Sequence, residues 1–225
     1  MTTKSTTTPD AMSCDANGEI AWEMPVSRRG TPTWEMALNY PQQGEWSEEE
    51  YLSLDSNRLI EFTDGVLEFL PMPKFSHVRL SRYLSDLLRT YVTSRSLGDV
   101  FWAPMSVRIG PGRFREPDVL YLSHARIPKE DVPPDGADLV IEIVSGGSQH
   151  RHRDLHEKRA DYAKAGIPEY WMVDPETETI TVLTLVGSEY MVHGAFQPGT
   201  NATSVLLPGF EVDVKACFGI VSKAT

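Results

Sequence analysis

Glu142 is the most informative residue, and it reads either as a structural Glu, paired with an Arg or at a strand's exposed end, or as a functional acid. It interrupts the apolar run Leu139-Val140-Ile141-Glu142-Ile143-Val144. A carboxylate in such a run is costly unless it is paired, protonated or bound to a cation. Asp118 follows Pro117 and opens a second apolar run, Val119-Leu120-Tyr121-Leu122. If the two runs form neighbouring strands, both carboxylates converge at one end of a sheet. With a backbone carbonyl, for which Ile143 is suitably placed, they make a hard oxygen site. Mg²⁺ or Mn²⁺ occupies such sites while keeping several waters. Asp154, Lys158 and Tyr162 recur at intervals of four, with Asp161 on the neighbouring stripe, so one helical face carries the first three. Lys158 either pairs with helical neighbours in solvent or aims its ammonium at a bound water or phosphate oxygen, where it stabilises developing negative charge. Glu61 lies between Ile60 and Phe62. Strand alternation places it with Leu59 and Thr63, either at the same acidic site or on an exposed edge.

The elements that must position these residues can be read from turns and periodicity. Ser47 and Glu50 form a capping box ahead of a short helix through Leu54. Asp64-Gly65 between two short apolar runs marks a hairpin. Ser76 is the expected N-cap of a helix from His77 to about Ser94, whose apolar residues recur at helical spacing. Strands are expected at 99–109, 117–122 and 138–144, the last covered on both faces. A tight Ser145-Gly146-Gly147-Ser148 turn, whose amides suit a phosphate, leads to a helix over 153–165 that stops at Gly166. Strands at 169–173, 179–186 and 189–193 follow. Alternating strands and helices predict a mixed α/β domain, its central sheet flanked by the helices at 77–94 and 153–165. Residues 1–43 read as an N-terminal arm, 44–215 as the folded domain and 216–225 as a C-terminal tail.

The chain has 225 residues, 40% of them hydrophobic and 24% charged, which is ordinary globular composition. Its net charge of −11 argues against a generic nucleic-acid coat protein. The charge is unevenly spread. Lys74–Arg95 holds five basic residues and one acid, and Arg108, Arg113 and Arg115 lie near the second predicted strand. Glu45–Glu68 holds eight acids and only Arg58. Basic residues therefore gather on the elements expected around Asp118 and Glu142, either to bind a phosphate backbone or merely to solvate those helices. Cys14 and Cys217 make neither a disulfide framework nor a zinc site, which fits a reducing cytoplasm. There is no secretory h-region after Met1 and no apolar run long enough for a membrane span. The turn at 145–148 lacks the Gly-Lys-Ser/Thr ending of a phosphate loop, and no GxSxG elbow occurs. His150, His152 and His156 lack HExxH spacing and read as a solvated, basic helix start.

Glu61-Phe62-Thr63-Asp64-Gly65, His77 at a helix start, Pro117-Asp118-Val119, Val140-Ile141-Glu142-Ile143-Val144-Ser145, and Asp154, Lys158 and Tyr162 leading into Ala165-Gly166-Ile167-Pro168-Glu169-Tyr170-Trp171-Met172-Val173-Asp174-Pro175 occur in that order. The pattern resembles the Uma-two (Uma2) family of the PD-(D/E)XK nuclease superfamily and covers roughly residues 44–215. The resemblance implies a restriction-endonuclease-like core and a Mg²⁺- or Mn²⁺-dependent endonuclease acting on DNA. Asp118 and Glu142 are then metal ligands with the Ile143 carbonyl, and Glu61 is an additional catalytic acid. Position 144, where the superfamily places a Lys, is Val144; the resemblance gives that role to Lys158 on the following helix. His77, Arg115, Ser145, Asp154 and Tyr162 are expected as supporting or substrate-contacting residues. The superfamily also implies a homodimer, for which the apolar C-terminal segment is a candidate interface. Two other readings use the same residues: a non-catalytic nucleic-acid-binding or regulatory protein on this fold, and a phosphoesterase acting on small nucleotides.

Overall fold

The computed structural model describes residues 13–14, 20–21, 40–56, 58–145 and 157–222. Within the N-terminal segment, β1 (Ser13–Cys14) and β2 (Ile20–Ala21) pair antiparallel. Helix α1 (Glu48–Leu52) starts at the expected capping box, with both reciprocal Ser47–Glu50 hydrogen bonds present. Strands β3 (Ile60–Thr63) and β4 (Val66–Phe69) form the expected hairpin. Its turn holds Asp64 and Gly65 at φ 48° and 86°, a left-handed pair that Asp-Gly accommodates.

Helix α2 (Phe75–Ser94) begins two residues before His77, with Lys74 rather than Ser76 as N-cap. Its start makes no side-chain cap bond, so the Ser76 signal loses to the register of the buried face Leu80, Leu84, Leu88 and Val92. The strand expected over 99–109 is two strands, β5 (Gly98–Trp102) and β6 (Val107–Gly110). Pro104 lies in the break, where it cannot donate to a ladder, and the two halves join different sheets. Then follow β7 (Arg113–Arg115), β8 (Val119–Ser123), β9 (Leu139–Ile143) and α3 (Lys158–Lys164). Gly166, at φ 73°, ends the helical segment as expected. The chain continues through β10 (Glu169–Asp174), β11 (Thr179–Val186), β12 (Glu189–Phe196), β13 (Asn201–Thr203), β14 (Glu211–Asp213) and α4 (Val214–Ser222).

Six strands form one sheet in the order β12-β11-β10-β9-β8-β5. β9 and β10 run parallel, as a crossover connection allows, and its other pairs are antiparallel. Every residue of β9 and β10 is buried, so the central strand is covered on both faces. One face packs Val119, Ile141, Ile143, Trp171 and Val173 against α2 and the C-terminal segment. The other packs Leu120, Val140, Tyr170 and Met172 with Tyr162 of α3. A second, four-stranded sheet of order β4-β3-β7-β6 has its own core of Trp46, Tyr51, Phe62 and Phe114.

The segment read as a tail from 216 is part of the core. Cys217 and Phe218 of α4 are buried in the same cluster as Leu207, Phe210 and Val214. The apolar C-terminal residues proposed for an interface are therefore used inside the chain. Glu169 shows why this segment docks. Its buried carboxylate accepts from Trp171 Nε1 (2.8 Å), Ser204 Oγ (2.6 Å) and the backbone N–H groups of Val205 (2.7 Å) and Leu206 (2.8 Å). No described helix is long and apolar enough to cross a membrane.

Candidate active site

Val119 of β8 pairs with Ile141 of β9 in antiparallel register, so Asp118 stands opposite Glu142 one step further along. The two strands are neighbours, as convergence of the carboxylates required. Asp118 is anchored on both oxygens: Oδ1 lies 2.7 Å from His77 Nε2, and Oδ2 accepts the Ile143 N–H at 2.7 Å. The Ile143 peptide thus faces Asp118, but the contact it makes is through its N–H, where the sequence suggested the carbonyl. Helix α2 lies over this edge, its Ser81 hydroxyl donating to the Asp118 carbonyl at 3.3 Å. His77 and Asp118 form the more open end of the site, with side chains 19% and 14% exposed.

The other end is closed. Glu142 is 3% exposed and Lys158 3%. The Lys158 ammonium lies 2.9 Å from Glu142 Oε2 and 3.4 Å from Glu61 Oε1. Tyr162, one turn along α3, donates to Glu142 Oε1 at 2.5 Å. The spacing of four that put Lys158 and Tyr162 on one face aims both at the same carboxylate, and the solvent-facing reading of Lys158 is excluded. Glu61 is fully buried rather than at an exposed edge. It crosses from the four-stranded sheet into this cluster and accepts from Arg115 Nη1 at 2.8 Å.

Arg115 is buried too, and its fork also grips Asp161 Oδ2, through Nε at 3.1 Å and Nη2 at 2.5 Å. Burial opposes the Arg115 charge, but Glu61 and then Asp161 outweigh it and hold the guanidinium firmly protonated. Burial, followed by the charges of Glu142 and Glu61, pushes the Tyr162 phenol well above its ordinary value. Tyr162 therefore stays a neutral donor. Arg113 adds ion pairs to Asp64 (2.6 Å) and Asp161 (3.5 Å). The site is thus an alternating lattice: Arg113, Asp161, Arg115, Glu61, Lys158, Glu142.

Several of these placements were not evident from the sequence. Arg113 and Arg115 counted there as phosphate-facing charge, yet both are engaged by acids, as Arg108 is by Glu48 at 2.5 Å. Asp161 was read only as a helix-surface neighbour of Lys158. Glu116 carried no signal beyond preceding Pro117-Asp118. Burial, with a smaller push from Glu61, raises its carboxyl to about 7, and its Oε2 is buried without a hydrogen-bond partner. Ser145 is partly buried at the end of β9. Asp154, Gly146-Gly147-Ser148 and the three histidines at 150, 152 and 156 lie outside the described residues.

Among the described residues, no three His, Cys, Asp or Glu side chains converge as a ready metal cage. The chemistry of the donor set nevertheless suits Mg²⁺. Two carboxylates on adjacent strands, one of them partly exposed, match an ion that binds through one or two carboxylates and keeps waters.

Comparison with known proteins bears on the fold and the family. No curated protein matches the sequence. The structure resembles a crystal structure of "a putative nuclease belonging to DUF820" from Anabaena variabilis, with a TM-score of 0.65 at 20% identity, covering 77% of this chain and 97% of that one. At that identity the likeness establishes a shared fold, and it is the nuclease-like one the sequence implied. The Uma2 family, described as "Putative restriction endonuclease", matches residues 48–215. That span contains Glu61, Asp118, Glu142 and Lys158 together with every strand of both large sheets, and the chain belongs to the Uma2 family.

Proposed function

We propose that this protein is a divalent-metal-dependent nuclease that hydrolyses DNA phosphodiester bonds, with Glu61, Asp118, Glu142 and Lys158 as its catalytic residues. The observation that carries this reading is the burial of Lys158 against both Glu142 and Glu61, beside the Asp118–Glu142 register pair. A purely structural helix has no need of a buried ammonium between two carboxylates, and the arrangement is costly to build. Asp118 and Glu142, with the Ile143 carbonyl, would hold Mg²⁺ or Mn²⁺. When bound, the ion supplies a water of lowered pKa and neutralises charge on the phosphate.

The protein's own groups do the rest. The Lys158 Nζ is held between Glu142 Oε2 and Glu61 Oε1. It donates to the attacking water or to a non-bridging phosphate oxygen, where negative charge grows in the transition state. His77 and the Ile143 N–H fix the Asp118 carboxylate; Tyr162 fixes Glu142; Arg115 fixes Glu61. These donors hold each acid in one orientation, so that little reorganisation accompanies reaction. One water is added across the P–O bond. The superfamily resemblance implies a 5′-phosphate and a 3′-hydroxyl as products.

Engagement of the buried acids by Lys158 and Arg115 also favours a second reading, a non-catalytic nucleic-acid-binding protein on the same fold. A cleavage assay separates the two. Supercoiled plasmid and single-stranded DNA are incubated with the protein and Mg²⁺ or Mn²⁺, with EDTA as control. Wild type is expected to cut, and Asp118→Ala, Glu142→Ala and Lys158→Ala to lose at least about 100-fold in rate. Unchanged activity in the three variants overturns the assignment of residues. No cutting by wild type with either metal overturns the nuclease reading in favour of the second.

A further inference from the structure

Two large aromatic side chains that the fold leaves in solvent lie close, in the chain or in the sheet register, to the residues at the open end of the site. Phe75, two residues before His77 on α2, is 74% exposed, and Trp102, at the end of β5, is 52% exposed. Trp102 pairs with Val119, the residue next to Asp118, and the Ala103 N–H that follows it donates to the Asp118 carbonyl at 3.3 Å. Both aromatics are therefore tied to the His77–Asp118 couple, one through each element that carries it. Met72 and Val78 are exposed beside Phe75 in the chain. Trp is among the residues most buried on average, and clustered apolar exposure on a soluble protein marks an interaction surface.

The charge along α2 around Phe75 is mostly positive. Lys74 is exposed, the Arg79 guanidinium stands 5.8 Å from the Phe75 ring centre, and Arg82 is 84% exposed along the same helix. Asp86, the acid of this stretch, lies between Arg82 and Arg89 and offsets part of their charge. Aromatic faces interleaved with cations are the features that bind single-stranded nucleic acid: the rings stack on bases and the cations follow the phosphates. In a duplex the base faces are already stacked and cannot serve such rings.

We infer that the substrate presents unpaired bases at the site, with Phe75 and Trp102 as the stacking platforms and Lys74, Arg79 and Arg82 as phosphate contacts. This rests on the nuclease reading above and names its substrate class: single-stranded DNA, or a frayed or flapped end, rather than continuous duplex. A second copy of the chain fits less well, because two copies would juxtapose the same cationic stretch of α2.

The test is binding, measured separately from cleavage. Fluorescence anisotropy is followed in EDTA with a short labelled oligothymidylate and with a hairpin duplex of equal length. Wild type is expected to bind the single strand at least about tenfold more tightly than the duplex. Trp102→Ala and Phe75→Ala should each weaken the single-strand complex by about tenfold, as the loss of one stacked base predicts, and change duplex binding by less than about twofold. Trp102→Phe should retain most of the affinity. Both positions are exposed, so the variants are expected to keep the wild-type melting temperature, which is checked first. Equal affinity for the two probes, or single-strand binding untouched by both alanine variants, overturns the inference. If Trp102→Ala instead dissociates a dimer in sedimentation velocity while binding is unchanged, the rings serve contact between copies and the inference is also overturned. Single-strand binding without cleavage under any metal leaves the platform standing and sinks only the nuclease reading.

Discussion

Lys158→Met removes one charge from the buried lattice and should be among the most damaging substitutions in the chain. Methionine keeps the length and apolar stem of the side chain, so the loss is electrostatic. Glu61 retains Arg115 at 2.8 Å, and Glu142 loses the Lys158 ammonium but keeps the Tyr162 hydroxyl. Breaking a buried pair from one side costs about 3–5 kcal/mol, which for a domain of this size lowers the melting temperature by about 6–20 °C. The cost should depend on pH. Without Lys158, burial disfavours the charged form of Glu142. The deficit relative to wild type is then largest at neutral and alkaline pH, where Glu142 must be charged, and shrinks as pH falls into the ordinary carboxylate range. Adding Glu142→Gln should recover most of the loss, bringing the double variant within about 1–2 kcal/mol of wild type, since replacing both members of a buried ion pair is often close to neutral. Urea unfolding of the four proteins at several pH values measures the coupling. A Lys158→Met deficit below about 1 kcal/mol, or a Glu142→Gln substitution that adds to the loss instead of reversing it, refutes the reasoning.

Three further outcomes follow from the same structure. Glu169→Gln should destabilise by at least about 3 kcal/mol in urea unfolding, because either orientation of the amide turns its NH₂ towards two of the four donors that now meet a carboxylate. Arg115→Met should leave Glu61 and Asp161 without their shared guanidinium and cost about 3–5 kcal/mol in urea unfolding. Cys217, whose thiol burial pushes up to about 12, should resist iodoacetamide at pH 8 in the native protein and react on unfolding, as peptide mapping reads.

Glu142 and Lys158 were legible in the sequence because each broke a local rule: a carboxylate in an apolar strand, and a Lys stacked at helical spacing on a Tyr. The hairpin signal and every strand signal but the one over 99–109 held, since turn residues and periodicity are local. What was not legible depended on contacts between distant segments. Arg115 and a solvated Arg look alike in sequence; only the arrival of Glu61 from the β3–β4 hairpin and Asp161 from α3 makes Arg115 a buried clamp. Alternation left Glu61 open between a site and an edge, because it does not say what covers a strand. The second sheet went unrecognised because Pro104 divides what reads as one continuous strand. The helical C-terminus was read as a tail because the docking ligand of its approach, Glu169, lies well upstream and appeared only as part of a recognisable segment.

The charge lattice is assembled from parts that the chain supplies at widely separated times. Arg115 meets Glu61 across 54 residues and Asp161 across 46, and Lys158 reaches Glu142 across 16. During synthesis, Glu61 and Arg115 can associate early, but the ammonium and phenol that orient Glu142 emerge only with the helix after β9. The nascent chain therefore cannot complete the cluster until β5, β8 and β9, half of the central sheet, have been made. The same long-range closure makes the cluster a late step in folding, since loop entropy must be met before distant charges can pair.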